Sequence, residues 1–210
     1  MRLIAKALFL IVAVVVMATL GTAFPGDGGL LIRILLVALL SFVATLVHEL
    51  GHAAAAQVLG GQIREIVVLP FAWRPGTRRL RMRWRAPGGE IGGYVAYALD
   101  RIDARRKHML IALAGPAANL LLAAVTAFAA SYLAQDHAAI VRHATEPAML
   151  PSEAQARAWL DSVHRGPEYG QIIAVALAIL SGGIGLVNLL PFDGSDGAHI
   201  LRRMRARPVR

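Results

Sequence analysis

The 210-residue chain has no cysteine, few aromatic residues (6%) and little charge, Asp, Glu, Lys and Arg together making up 17%. Without cysteine there is no disulfide framework, and any metal site must be built from His, Asp or Glu rather than thiolate. Acidic groups are scarcest: 13 Asp and Glu stand against 22 Lys and Arg, a formal net charge of +9. An average soluble domain is about 25% charged and roughly 45–50% apolar; this chain is 57% apolar. Disorder is excluded, because it requires low hydrophobicity. What the basic excess means depends on where it sits.

Four apolar runs free of charge account for the composition. They cover residues 7–26, 34–61 (interrupted by a polar cluster at 48–52), 109–134 and 171–192. Crossing ~30 Å of hydrocarbon takes about 20 apolar residues. Three runs reach that length unaided, and the second does so only with its polar cluster inside the membrane. The pattern predicts an all-α polytopic membrane protein: one membrane-embedded domain, 1–210, with about four transmembrane helices near 5–25, 30–60, 108–134 and 170–191. The first run also has the form of a signal peptide. It lacks a clean small-x-small cleavage site before Phe24-Pro25 and is read as a retained helix.

The basic residues then acquire a meaning. Eleven lie between Arg64 and Lys107, five follow the fourth run from Arg202 to Arg210, and Arg2 and Lys6 precede the first. The positive-inside rule places these segments, and with them both termini, on the cytoplasmic side of the cell (inner) membrane. The charge is therefore a topology signal with affinity for anionic headgroups, and no nucleic-acid partner is expected. Within the cytoplasmic segment, Leu80–Arg85 alternates apolar and basic residues, the period of a strand. Ile63–Phe71 is a second strand candidate and Arg74–Thr77 has turn chemistry, so a small β-hairpin is expected within 62–95. Gly88-Gly89 and Gly92-Gly93 read as a flexible or bent connection. The outer loop, 135–169, contains a short amphipathic helix candidate at Pro151–Arg165.

Inside the second apolar run stands His48-Glu49-Leu50-Gly51-His52. Residues four apart share a helix face, so both imidazoles can reach one metal ion, with Glu49 beside them as general base. A charge at mid-membrane costs about 2.5–3.5 kcal/mol on insertion scales, which marks such groups as functional-site candidates. A catalytic zinc takes three protein ligands. Topology leaves Asp193 and Asp196, after the fourth helix, and Glu65 and Glu90, in the cytoplasmic segment, as sources of the third.

Three motifs in order resemble the site-2 protease family of intramembrane zinc metalloproteases: His48–His52, Ala114-Gly-Pro-Ala-Ala-Asn119, and Asn188-Leu-Leu-Pro191 followed by Ser195-Asp196-Gly197. The likeness covers about 40–135 and 175–200, including Gly92-Gly-Tyr-Val95. It implies one Zn²⁺ held by His48, His52 and Asp196, since the family's third ligand is an Asp-Gly about eight residues beyond the Asn of Asn-x-x-Pro. The loop Phe192-Asp-Gly-Ser195 departs from the family's usual Leu before that Asp. The resemblance also implies that Asn188 binds the substrate carbonyl or its developing oxyanion; a cap for the helix end is the other reading. Asn119 is expected as a hydrogen-bonding partner of the active-site helices, on a small-residue face made by Ala114 and Ala118. His199 is read as structural or interfacial.

The function implied is hydrolysis of peptide bonds in membrane-spanning or membrane-associated proteins near the cytoplasmic face, with Glu49 as general base. The alternative is a non-proteolytic zinc-binding membrane protein with a regulatory or partner-binding role. The implied partners are a membrane-protein substrate and the lipid bilayer, with a homo-oligomer or regulatory membrane protein as further options. The outer loop is too short for the PDZ-type domain some relatives insert.

Overall fold

A computed structural model of the chain describes residues 2–77, 79–84, 92–100, 102–144 and 153–205. The chain order is α1 (Arg2–Ala23), α2 (Gly26–Val58), β1 (Gln62–Val68), β2 (Phe71–Arg74), β3 (Arg79–Met82), β4 (Gly93–Ala98), α3 (Ala104–Ala144), α4 (Glu153–Leu189) and α5 (Asp196–Arg205). Among the described residues three helical stretches are long and apolar enough to cross a membrane: Gly26–Val58, Ala104–Gln135 and Glu168–Leu189. The remaining expected span corresponds to α1, 22 residues long, whose apolar stretch is Ala7–Ala23. One side of it, with Leu10, Ile11 and Val14, is exposed, and the other packs on the bundle. Val16 and Leu20 are fully buried in a core with Leu40, Ala176 and Leu180, and Val12 presses on Gly183 of α4, where a Cβ would meet it at 2.7 Å. Large apolar side chains such as Leu31, Leu35, Leu121, Val125 and Phe128 stay exposed on the outside of the bundle. A patch of that kind fits hydrocarbon rather than water.

Both ends of the long helices differ from expectation. The segment foreseen as an outer loop, 135–169, is helical up to 144 and again from 153, so α3 and α4 extend well past their apolar runs. The helix expected at 151–165 is the first part of α4. Hydropathy marks where a helix meets lipid, and hydrogen bonding carries it further.

The loop from α2 to α3 holds a four-stranded antiparallel sheet, in the order β3-β2-β1-β4, rather than a hairpin. α2 ends in a Schellman motif: Gly60, at φ 82°, donates to the Gln57 carbonyl and Gly61 to that of Ala56. That left-handed residue turns the chain back along α2. The strand expected over Ile63–Phe71 is cut in two at Leu69-Pro70, because proline has no donor for the ladder. The glycines at 92–93 mark a strand start: Gly93 opens β4, and Tyr94, Val95 and Tyr97 supply strand-forming side chains. The second glycine pair, Gly88-Gly89, lies outside the described residues, as does Glu90. β4 is an edge strand.

The sheet has two unlike faces. Cross-strand pairs Phe71/Met82 and Trp73/Leu80 share one face with Ile66 and Val68. That face meets α2, where Phe42 and Phe71 contact edge to face at 5.8 Å. The other face buries Val67 and Ala72 beside a polar cluster. Arg74 Nε donates to Glu65 Oε1 at 2.8 Å, Tyr94 Oη to Glu65 Oε2 at 2.7 Å, and Arg83 Nη1 to Tyr94 Oη at 2.6 Å. The hydrogen bond from Tyr94, with Arg74 and Arg83 beside it, holds the Glu65 carboxyl below its ordinary 4.5. Its stabilisation of the sheet is therefore complete above that value and is lost as pH falls through the lowered one. Glu65→Gln is expected to cost the sheet about 1 kcal/mol at neutral pH and to remove this acid sensitivity. Fluorescence of Trp73 during denaturation, in a Trp84→Phe, Trp159→Phe background at neutral and acid pH, measures both.

Candidate metal centre

His48 and His52 are one turn apart on the same face of α2, and their rings meet edge to face with centroids 4.7 Å apart. Both are buried, as is Glu49, at 6%, 9% and 5% exposure. The third member arrives from the far end of the chain. His48 Nε2 lies 3.0 Å from Asp196 Oδ2, His52 Nε2 lies 3.3 Å from Asp196 Oδ1, and the two Nε2 atoms are 3.1 Å apart.

Local sequence explains how Asp196 is delivered. Gly194 takes φ 89° to make the turn. Ser195 then caps α5: its Oγ accepts from Ala198 N at 3.1 Å and donates to the Leu190 carbonyl at 2.5 Å. Asp196 is the first residue of the helix, where its negative charge is favoured by the backbone dipole. Burial in itself pushes the carboxyl up, but the His48 and His52 side chains facing it outweigh that and hold it at about 2. It is a carboxylate at neutral pH, as a ligand must be. The departure at Phe192–Ser195 thus supplies a turn and a cap. Asp193 is exposed on that turn, and Glu65 is committed to the sheet.

Each imidazole is oriented from behind. His52 Nδ1 lies 2.7 Å from the carbonyl of Ile111 on α3, so Nδ1 carries the proton and Nε2 offers its lone pair. His48 Nδ1 faces the Asn119 amide, whose Nδ2 is 3.3 Å away, while Asn119 Oδ1 is buried without a partner among the described residues. A ligating His48 Nε2 requires a protonated Nδ1, which needs an acceptor; Asn119 supplies one with its amide turned by 180°, Oδ1 toward the ring. Ser181 Oγ on α4 donates to the Asn119 carbonyl at 2.9 Å, fixing this residue from the other side. Close helix approach makes these bonds reachable. A side chain on Gly51 would meet the Ala114 carbonyl at 2.6 Å and Ala118 Cβ at 2.8 Å, and one on Gly115 would overlap the His52 ring itself. Sequence reading foresaw the Ala114/Ala118 face. It missed Gly115, although the motif contains it, and the Ile111 carbonyl, which as a backbone atom leaves no residue signature.

The donor set fits a zinc ion. With bonds of about 2.0–2.1 Å in a tetrahedral site, ligand atoms stand roughly 3.3 Å apart; the two Nε2 atoms are 3.1 Å apart, with Asp196 Oδ2 3.0 Å from that of His48 and Oδ1 3.3 Å from that of His52. Among the described residues these three form a group able to hold a metal ion. Asn188 is not part of it. It sits half-buried near the end of α4, and His199 is exposed on α5.

The family model of peptidase family M50 matches residues 34–209. The chain belongs to that family, the site-2 proteases. The match takes in α2 with both histidines, the sheet, α3, α4 and the Asp196 helix. No curated protein and no solved structure matches. Family membership makes the chain a membrane metalloprotease by class, and metalloproteases of the family use zinc.

Loss of an outer hydrogen-bond partner typically lowers metal affinity 10–100-fold. Asn119→Ala is expected to weaken zinc binding by that order, read by competition with a chromophoric chelator. Asp196→Asn should weaken it more, and Asp193→Asn should leave it unchanged.

Proposed function

We propose that this single membrane-embedded unit cleaves peptide bonds of membrane-spanning or membrane-associated proteins close to the cytoplasmic face of the cell (inner) membrane. The observation that carries the reading is Glu49: a buried carboxyl, one residue from a metal-binding His, facing the sheet edge where a substrate backbone can lie. Zinc held by His48, His52 and Asp196 would supply Lewis acidity to the scissile carbonyl and to a water molecule.

The chain's own groups account for the rest. Glu49 takes a proton from the attacking water and returns it to the departing amine. Its carboxyl is held against β4, since a Cβ on Gly93 would lie 2.8 Å from Glu49 Cγ and 2.9 Å from Oε1. Gly93 thus leaves room for that carboxyl at an open strand edge. A substrate helix shields its own carbonyls and must be drawn out; β4 offers unpaired backbone donors and acceptors for an extended segment to add as a fifth strand. Asn188, which makes no side-chain hydrogen bond to a described residue, is proposed to donate its amide to the carbonyl oxygen as negative charge develops there. The distribution of Lys and Arg supports cytoplasmic termini, with the sheet and α5 on the cytoplasmic side.

Glu49→Gln is expected to lower cleavage by about 10²–10⁴-fold while zinc content stays at one ion per chain. Membrane-protein fragments compared between cells carrying either protein, with zinc measured on both, test it. Identical fragments with zinc retained would instead indicate the non-proteolytic zinc-binding role.

A further inference from the structure

Two elements lead away from the metal group toward the same place. α5 begins with Asp196, and Arg203, seven residues on, lies on the same helix face, about 10 Å further along at 1.5 Å per residue. β4 begins at Gly93 beside Glu49, and Tyr97, four residues on, points to the same sheet face, about 13 Å further along at ~3.3 Å per residue. The far ends come together. Burial pushes the Tyr97 phenol up, the Arg203 charge opposes that and the Asp196 charge adds to it. Both ends meet the first turns of α3: the Tyr97 and His108 rings are 5.7 Å apart, and Arg105 Nη2 donates to the carbonyl of Met204, the residue after Arg203, at 2.6 Å. β4 and α5 thus both lead from the metal group to the start of α3.

Its far end is cationic. Arg105, Arg202, Arg203 and Arg205 are all exposed, and among the described residues Arg203 has no carboxylate partner. The nearby Asp100 is already paired with Lys107 at 2.8 Å. An extended chain lying along the open edge of β4 from Glu49 would bring its third or fourth residue level with Arg203 and Tyr97.

Resting on the proteolytic reading above, we propose that the surface between β4 and α5 forms a cleft for the cytoplasmic flank of the substrate and that Arg203, with Tyr97, selects a carboxylate side chain three to four residues from the scissile bond. The substrate class is then membrane proteins with an acidic cytoplasmic flank. The selection works against the common case, because cytoplasmic flanks are usually rich in Lys and Arg. The cationic rim repels those chains, so repulsion contributes to specificity as much as attraction does.

The test uses the full zinc-loaded chain in nanodiscs of neutral phosphatidylcholine. Single-span polypeptides differ only in carrying Glu, Gln or Lys at one of positions two to six on the cytoplasmic side of the cleaved bond. The expected result is kcat/KM higher for Glu than for Lys by roughly five- to tenfold at positions three and four alone, fading at high salt. Arg203→Gln should flatten the preference and Arg203→Glu should reverse it. Equal cleavage of Glu and Lys forms, or a preference uniform over all five positions, overturns the proposal. A wild-type protein that cleaves no member counts against proteolysis itself. Crosslinking of the same panel to the Glu49→Gln protein then decides the cleft separately: selective capture of the Glu forms supports it, and equal capture overturns it.

Discussion

Two imidazoles and a carboxylate drawn together within apolar helices are what the rest of this structure serves. Each group, left alone among hydrocarbon and packed side chains, would be costly to bury. Together they face one another at 3.0–3.3 Å, and they could hold a divalent cation between them. The constraint is that their partners must come from elsewhere in the chain. His48 and His52 are one helical turn apart, but Asp196 is 148 residues from His48. The fold has to bring the end of α4 back to the middle of α2 and hold it there.

It does so with small residues and backbone atoms. Gly51 lets α2 and α3 approach until a Cβ would no longer fit, and Gly115 gives the His52 ring a place to lie. At that spacing the Ile111 carbonyl reaches His52 and the Asn119 amide reaches His48. Ser181 carries the same linkage on to α4, whose end delivers the Gly194 turn and the Ser195 cap. A chain of short contacts thus connects all three long helices through the metal group. Bulkier residues at these crossings would separate the ligands by the width of a methyl group.

The sheet solves a different problem. A protease in lipid must offer an extended segment somewhere to bind, and open backbone edges are costly in hydrocarbon. Here the sheet turns the face with Phe71, Trp73, Leu80 and Met82 toward α2, and ties the opposite face together through Glu65. Its open edge, β4, is presented where Glu49 stands.

The sequence by itself determined the membrane class and the paired histidines with Glu49 beside them; its resemblance to the site-2 proteases implied Asp196 as their partner, and the structure brings Asp196 to them. Those features are local: hydropathy runs, a spacing of four on a helix, and an aspartate eight residues beyond Asn188. Only the tertiary structure decided that α1 packs on the bundle through Val16 and Leu20, that the expected hairpin is a four-stranded sheet, and that 135–169 is mostly helix. It also decided which atoms stand behind the ligands. The physical reason is range. Gly93 reads as a flexible bend until β1 pairs with it and Glu49 lies against it, and Glu65 reads as a spare carboxylate until Tyr94 and two arginines surround it. Interactions between residues distant in the chain leave no periodicity in the sequence, and here they fix the ligand geometry.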